Sequence, residues 1–401
     1  MLTIGVIGTH GKTTTALFIA AMLKRIGGAV AYYTSLGSSD STCCDRTTTR
    51  PPAAGKLAKW LGRAEQAGSP AAILELTPAM LQDRVTAGVR FDLIVLTGLR
   101  TGQHRASPGS RDGVQQLNVL ADSLKDHGLV LYNADDAQAA AWAESSSAYC
   151  VSYGLDAAEH VRAKRLSRFR GEQQLLALAG NVIMPLTLKL EGDHIARAAM
   201  AAVATSWVLD FSLPDAIAGI EALESIPGRM QRLPQAVEVP VIIDACDSPD
   251  RVAVALHAMR QHSMGPATVV MDLGRRLDSQ WRQRLGEVLD KGADKVVLTA
   301  SEFSAEAAQS LAMDVLGGFR SPGRVQVIPD RGAAIRWAVD HTVTGAILLA
   351  GCGTATWTER DGNETHDELT AKQAVARKNC TVPMPNLNIF PPSEPSPYFS
   401  H

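Results

Sequence analysis

A glycine-bounded stretch, Gly8-Thr9-His10-Gly11-Lys12-Thr13-Thr14-Thr15, stands between two apolar runs at the front of the chain. Residues 2–7 have the length and apolarity of a buried strand, and residues 16–23 those of a helix. Strand, glycine turn, lysine, hydroxyl, helix is the order in which backbone N–H groups and a helix N-terminus surround a phosphate. Lys12 is placed to reach β- and γ-phosphates, and the Thr13 hydroxyl to sit on Mg²⁺. The longer form of such a loop carries a glycine five residues before Gly11, where this chain has Val6, so the loop is a shorter form. Gly8, Thr9, His10, Gly11, Lys12, Thr13 and Thr14 are the candidate nucleotide-binding residues.

The chain keeps the rhythm that such a loop requires. Nearly all-apolar segments at 2–7, 29–34, 71–74, 93–97, 129–132 and 148–152 read as strands, with helices such as 53–67 and 115–125 between them. Short apolar strands alternating with helices imply a parallel sheet covered on both faces, with ligands at the carboxyl ends of its strands. Residues 161–166, 173–178 and 182–190 break that rhythm and read as a small antiparallel flap. Ile226-Pro227-Gly228-Arg229-Met230 is a break, after which a second α/β series begins. The expected fold is a P-loop-type parallel-sheet domain with a flap (1–226), a Rossmann-like α/β domain (227–378) and a proline-rich, extended tail (379–401).

Composition narrows the partners. With 39 basic and 41 acidic residues the formal net charge is -2, which gives no electrostatic case for nucleic acid or an anionic membrane. No window has the apolar length of a membrane span, and no basic region or cleavage site follows Met1, so the cytoplasm is the expected compartment. The six cysteines have spacings of neither a zinc site nor a disulfide scaffold and are expected to be mostly buried small residues.

Two strand ends converge on the phosphate loop. The run at 71–74 closes on Glu75, a second protein contact for a nucleotide's Mg²⁺ or else a charge at the helix start before Thr77-Pro78. The run at 93–97 leads into a long polar loop with His104, Arg105, Arg111 and Asp112, where His104 is either a ligand or a solvated loop residue.

Taken in order, these motifs resemble the Mur ligase family of ATP-dependent amide-forming ligases, most of all the branch that adds the third amino acid to the peptidoglycan precursor. Gly8 to Thr14 is similar to its short P-loop, and Thr47-Thr48-Thr49-Arg50-Pro51 to its Thr-Thr-Pro segment. Thr97-Gly98-Leu99 resembles the Thr-Asn-Leu before a histidine loop, and Asn133-Ala134-Asp135-Asp136 an Asn-x-Asp-Asp turn. Pro227-Gly228-Arg229-Met230 looks like the Gly-Arg-Met hinge, Asp244 to Asp250 like the Asp-Tyr-Ala-His-Thr-Pro element, and Asp330-Arg331 like a helix start in the last domain. The resemblance implies ATP and Mg²⁺ as cofactors, with Lys12, Glu75, Arg229 and His104 catalytic, Thr13 and Glu75 on the metal, and Arg229 and Asp244 on the nucleotide. It implies an acyl phosphate on a carboxylate substrate, attacked by an amine or amino acid.

The departures fall on the acceptor side. The family's UDP-binding N-terminal domain has no counterpart before residue 2, so the expected carboxylate substrate is not UDP-linked. The lysine that the family carbamylates aligns with about Asn118, and Ser301-Glu302-Phe303-Ser304 replaces Asp-Asn-Pro-Arg. Gly351-Cys352-Gly353-Thr354-Ala355 replaces Gly-Lys-Gly-His-Glu, and Asp247 stands for a histidine, read as a turn or helix-cap residue. The alternatives to a ligase are a degenerate nucleotide-binding scaffold and a P-loop kinase or NTPase.

Overall fold

The computed structural model describes residues 1–45, 52–99, 111–169, 171–236, 238–273, 279–300, 302–359 and 362–381. The segment 47–51, His104 with its loop, Ser301 and the tail from 382 lie outside the described residues. The helix that ends the described chain runs to Thr381, so the expected tail begins inside it.

The first unit is one sheet of eleven strands: β1 (Leu2–Ile7), β2 (Ala31–Thr34), β3 (Gly37–Ser39), β4 (Cys44–Asp45), β5 (Ala71–Glu75), β6 (Phe91–Leu96), β7 (Leu124–Asn133), β8 (Cys150–Gly154), β9 (Val161–Phe169), β10 (Glu172–Ala179) and β11 (Val182–Leu188). Their spatial order is β11-β10-β9-β8-β7-β6-β1-β5-β2-β3-β4. Pairing is parallel from β2 through β9 and antiparallel at both ends. The flap strands therefore extend the central sheet, joined to it through the parallel β8–β9 pair, because β9 continues the hydrogen-bonding edge that β8 leaves open.

The intervening helices are α1 (Lys12–Gly27), α2 (Ala54–Gln66), α3 (Pro78–Gln82), α4 (Arg111–Ala121), α5 (Ala137–Ser145), α6 (Asp193–Val208) and α7 (Leu213–Glu221). One face of the sheet buries Ile4, Val6, Ile73, Leu93 and Val95 with Phe18, Ile19 and Met22 of α1 and the alanine-rich side of α6. The other face packs Ile7, Leu74, Ile94 and Leu96 against Leu57 and Trp60 of α2, Leu117 of α4 and Trp142 of α5. Burial on both faces is why the strands read as unbroken apolar runs.

The second unit holds β12 (Gln231–Arg232), β13 (Val241–Asp244), β14 (Ala267–Asp272), β15 (Lys295–Thr299), β16 (Val325–Val327) and β17 (Ala346–Ala350), ordered β12-β13-β17-β14-β15-β16. Helices α8 (Pro249–His262), α9 (Ser279–Gly292) and α10 (Ala305–Leu316) cover one face, and α11 (Arg331–His341) and α12 (Asp367–Thr381) the other. A hairpin of β18 (Thr356–Thr358) and β19 (Glu364–His366) follows β17. Among the described residues, no helix is long and apolar enough to cross a membrane.

The cysteines depart from expectation: Cys43 and Cys44 are exposed, Cys150 and Cys352 half-buried, and Cys246 alone among the described five is buried.

Candidate functional site

Strand register sets the site. Val6 stands beside Glu75 across β1–β5, and Ile7 beside Leu96 across β1–β6. The residues that follow β1 therefore emerge between Glu75 and Thr97. Gly8 has φ +148°, and a Cβ there would lie 2.2 Å from Thr97 Oγ1, so only glycine fits. Gly11 caps α1 at φ 81° with no side-chain capping bond. Thr9 N donates to Gly98 O at 3.0 Å, and Thr97 Oγ1 donates to His10 O at 2.5 Å. The β1 and β6 loops are thus stitched together.

Lys12, the first residue of α1, curls over this loop and donates to Gly8 O at 2.9 Å and Thr9 O at 3.4 Å. Burial pushes its pKa down; Glu75 opposes this, while Arg251 and Arg229 add to it. The next residue is Thr13, whose buried hydroxyl donates to Glu75 Oε2 at 2.9 Å and lies 2.9 Å from Ser35 Oγ. Ser35 N also donates to Glu75 Oε2, at 2.8 Å. Glu75 is therefore drawn inward to the loop and away from the start of α3, where Thr77 is the cap. Three hard oxygen donors, from Thr13, Glu75 and Ser35, fit a divalent cation that takes its remaining ligands from phosphate and water. Ser35 was not singled out from sequence; its one signal is a hydroxyl just past the strand that pairs with β5.

The Asn133–Asp136 turn is a brace. Asn133 Nδ2 donates to Thr97 O at 3.0 Å, and Asp136 Oδ1 accepts from Leu99 N at 3.2 Å while capping α5 through Ala139 N at 2.9 Å. Asp135 accepts from Leu155, Asp156 and Ala157 N–H groups and from Arg197 Nε at 2.7 Å. Despite its desolvation, these bonds hold its carboxyl below the usual range. Asn118, about where the resemblance implies a metal-site lysine, is exposed on α4 with its Oδ1 taken by the Trp142 indole N–H at 2.8 Å.

The second unit brings its own groups. Gly228 adopts φ +63°, and a Cβ there would lie 2.9 Å from Gly353 Cα. The hinge is tied to the end of β13 by Ala245 N donating to Gly228 O at 3.0 Å and Met230 N donating to Asp244 Oδ2 at 2.8 Å. Arg229 donates to Gly228 O at 3.0 Å. Its pKa is lowered by burial first and then by Arg251, against Asp244 and Glu75. The charges of Arg229 and Lys12 are thus felt by one another, and Glu75 bears on both. The cap of α8 is Ser248, not Asp247, whose carboxylate turns back to pair with Arg251 at 2.7 Å. The reason is spacing: Asp247 is four residues before Arg251, the distance at which side chains on one helical face meet.

Among the positions where the resemblance implies contacts with the acceptor, Ser304 caps α10 through Ala307 N at 3.3 Å. Cys352 donates to Asp272 Oδ2 at 3.0 Å, and burial pushes its thiol pKa up, so it is a neutral thiol. Arg331 is 1% exposed and donates to both Asp367 carboxylate oxygens at 2.6 Å and to Ala350 O at 3.2 Å. Its neighbour Asp330 caps α11 through Ala333 N at 2.6 Å.

The chain has counterparts among known proteins in sequence and in fold. A 2,6-diaminopimelate ligase acting on UDP-N-acetylmuramoyl-L-alanyl-D-glutamate, from Geobacter metallireducens, is 28% identical over 335 residues, 80% of this chain and 64% of that protein. The chain thus spans just under two thirds of that relative's length. The structure of a ligase of the same name superposes with TM-score 0.67 at 21% identity, covering 94% of this chain and 79% of that one. Folylpolyglutamate synthase from Thermotoga maritima gives 0.64 at 18% identity, covering 87% and 86%. At these identities the two structures speak to the fold. The Mur ligase middle-domain model matches residues 6–206, and the Mur ligase glutamate-ligase-domain model matches residues 228–353. With the phosphate loop, the Glu75 strand end and the Gly-Arg-Met hinge all inside those spans, the chain belongs to the Mur ligase family.

Proposed function

We propose that this chain is an ATP-dependent ligase that joins a carboxylate to an amine or amino acid through an acyl phosphate. The observation that carries the reading is the set of oxygens from Thr13, Glu75 and Ser35 beside Lys12, with Arg229 and Asp244 supplied from the second unit. A scaffold has no need of that combination. The functional division is placed at residues 1–226 and 227–378.

In this reading Lys12 exchanges its bonds to Gly8 O and Thr9 O for phosphate oxygens, joined by the loop N–H groups and the start of α1. Thr13 and Glu75, with Ser35 behind them, hold Mg²⁺, which when bound offsets phosphate charge. Asp244 keeps one carboxylate oxygen free of the Met230 bond for a ribose hydroxyl. Arg229 stabilises charge on the transferring phosphoryl group. A substrate carboxylate oxygen attacks the γ-phosphorus and ADP leaves; the amine then attacks the acyl carbon, loses a proton, and inorganic phosphate leaves. Positioning and charge compensation carry such a reaction, and closure of the two units over the loop keeps water from the acyl phosphate.

The amine is distinct from diaminopimelate in this reading. Glu302, Phe303 and Ser304 present a helix cap where the resemblance implies an arginine for that substrate, and Cys352 stands for a lysine. That second substitution also favours the rival reading, a nucleotide-binding chain without ligase turnover. ADP and orthophosphate release, measured with pooled free and UDP-linked carboxylates with and without amines, separates them. Release that needs both partners supports the ligase; ATP binding without release supports the rival. Lys12→Ala is expected to lower turnover by at least about 10²-fold, and wild-type activity in that variant refutes the phosphate-loop assignment.

A further inference from the structure

The flap strands take no part in the site described above, and one irregularity in them points at the second unit. In the β9–β10 ladder Ser167 faces Gln174 and Arg165 faces Leu175, so Leu166 is an extra residue without a partner strand position. A bulge of one residue turns the strand beyond it over by one face. Arg165 and Arg168, three apart and so on opposite faces of a regular strand, thereby come to the same face, opposite the buried Leu175 and Gln173. Leu166 itself is 55% exposed, so packing does not account for it.

Both arginines converge on Asp193, the first residue of α6. Arg165 donates to its two carboxylate oxygens at 3.1 and 3.3 Å, and Arg168 Nη2 donates to Oδ1. Gln173 fixes the approach to α6 by donating to Leu190 O at 2.7 Å and Gly192 O at 3.1 Å. The other arm of Arg168 crosses to the second unit and donates to Gln261 Oε1 on α8. Gln261 Nε2 lies 2.6 Å from His257 Nε2, one turn back, which orients the amide with its oxygen toward Arg168. Ala258, on the same face of α8 as Gln261, is 2% exposed, and a Cβ on Gly192, at φ +105°, would lie 3.0 Å from the Ala258 Cβ. Gly192, the cap of α6, thus lets α8 come within backbone reach of the start of α6.

We propose that the bulged β9 and the Gly192-Asp193 corner form the seat of the second unit on the first, with Gln261 as the positioning residue that Arg168 holds. The consequence for catalysis rests on the ligase reading above. Helix α8 follows β13 and Asp244 through one short loop, so the seat fixes where the second unit offers Asp244 and the hinge Arg229 to a nucleotide. The bulge is what aims Arg168 at α8, and it gives the flap its task.

The test compares the wild type with Gln261→Arg and Gln261→Glu, by amide hydrogen exchange in residues 190–197 and 256–261 and by calorimetric binding of a Mg²⁺-loaded non-hydrolysable ATP analogue. Gln261→Arg sets like charge against Arg168. It is expected to speed exchange in both segments and to weaken the analogue about threefold or more, because the arrangement that binds it is less populated. Gln261→Glu gives Arg168 a charged acceptor and is expected to slow exchange there and to bind the analogue at least as tightly as the wild type. Thermal unfolding of both variants checks the fold, since a merely structural role would shift the midpoint and leave the affinity alone. Unchanged exchange in both variants overturns the seat. Altered exchange with equal affinities in all three chains overturns the positioning role. A wild-type chain that binds no analogue overturns the ligase reading and the consequence drawn from it, and the exchange comparison, which needs no nucleotide, still decides the seat.

Discussion

The carboxyl ends of the two sheets treat charge in opposite ways. At the edge of the first, Lys12 rests on two loop carbonyls and Glu75 on a hydroxyl and a backbone N–H, neutral partners that phosphate and a cation can displace. At the edge of the second, Arg331 and Asp367 are buried against each other, and Arg331 also holds the last carbonyl of β17. The first edge is built to receive charge and the second to be held rigid by it. The lesson is that a carboxylate or guanidinium at a strand end informs on ligands only after its partners are known.

The largest effect that could break this contrast is at Glu75. Glu75→Gln keeps the size and the bond from Thr13 but removes the negative charge. Turnover at saturating substrates should fall about 10²-fold or more, and the Mg²⁺ concentration for half-activity should rise. Stability should change little, because the partners are neutral. A variant with normal Mg²⁺ dependence would make Glu75 a structural residue.

The matching change in the second sheet should act on stability first. Asp367→Ala leaves Arg331 buried without its carboxylate, and breaking such a pair costs about 3–5 kcal/mol. The urea midpoint should drop accordingly, and Asp367→Leu with Arg331→Met should recover part of it. An unchanged midpoint in Asp367→Ala would mean that the pair does not hold the β17 end.

The phosphate loop, the two α/β series and the antiparallel strands were legible because each is a local pattern: an apolar run, a glycine turn, a period. Glu75 and Asp244 were legible for the same reason, as carboxylates closing apolar runs. Ser35 was not, since its role arises from β2 lying beside β5, a pairing between residues about forty apart. Nor was the internal use of Arg331, which depends on α12 bringing Asp367 under β17. Asp247, read as a turn or cap residue, stands one place before the cap, which is Ser248, and its carboxylate pairs with Arg251 one turn later. The thiols of Cys43 and Cys44 were misjudged because residue type was used where the edge position of β4 decides exposure.

A smaller effect sharpens the comparison at the place where the two units touch. Glu191, between β11 and α6, is 4% exposed and faces Arg232 of β12 at 3.4 Å. Burial raises its pKa from 4.5 to about 7, more than Arg232 lowers it. The folded chain therefore binds a proton here more tightly than the unfolded one. The stabilisation is complete below pH 4.5, declines as pH rises to about 7, and is gone above that. At roughly 1.4 kcal/mol per pH unit the loss is on the order of 3 kcal/mol. Glu191→Gln removes the titration while keeping an acceptor for Arg232, which is half-exposed and stays solvated. Its urea midpoint should vary less between pH 5 and pH 8 than that of the wild type, and should exceed the wild-type value at pH 8. A slope equal to the wild type would show that Arg232 outweighs burial, and that this contact, like the Arg331 pair, is held by charge.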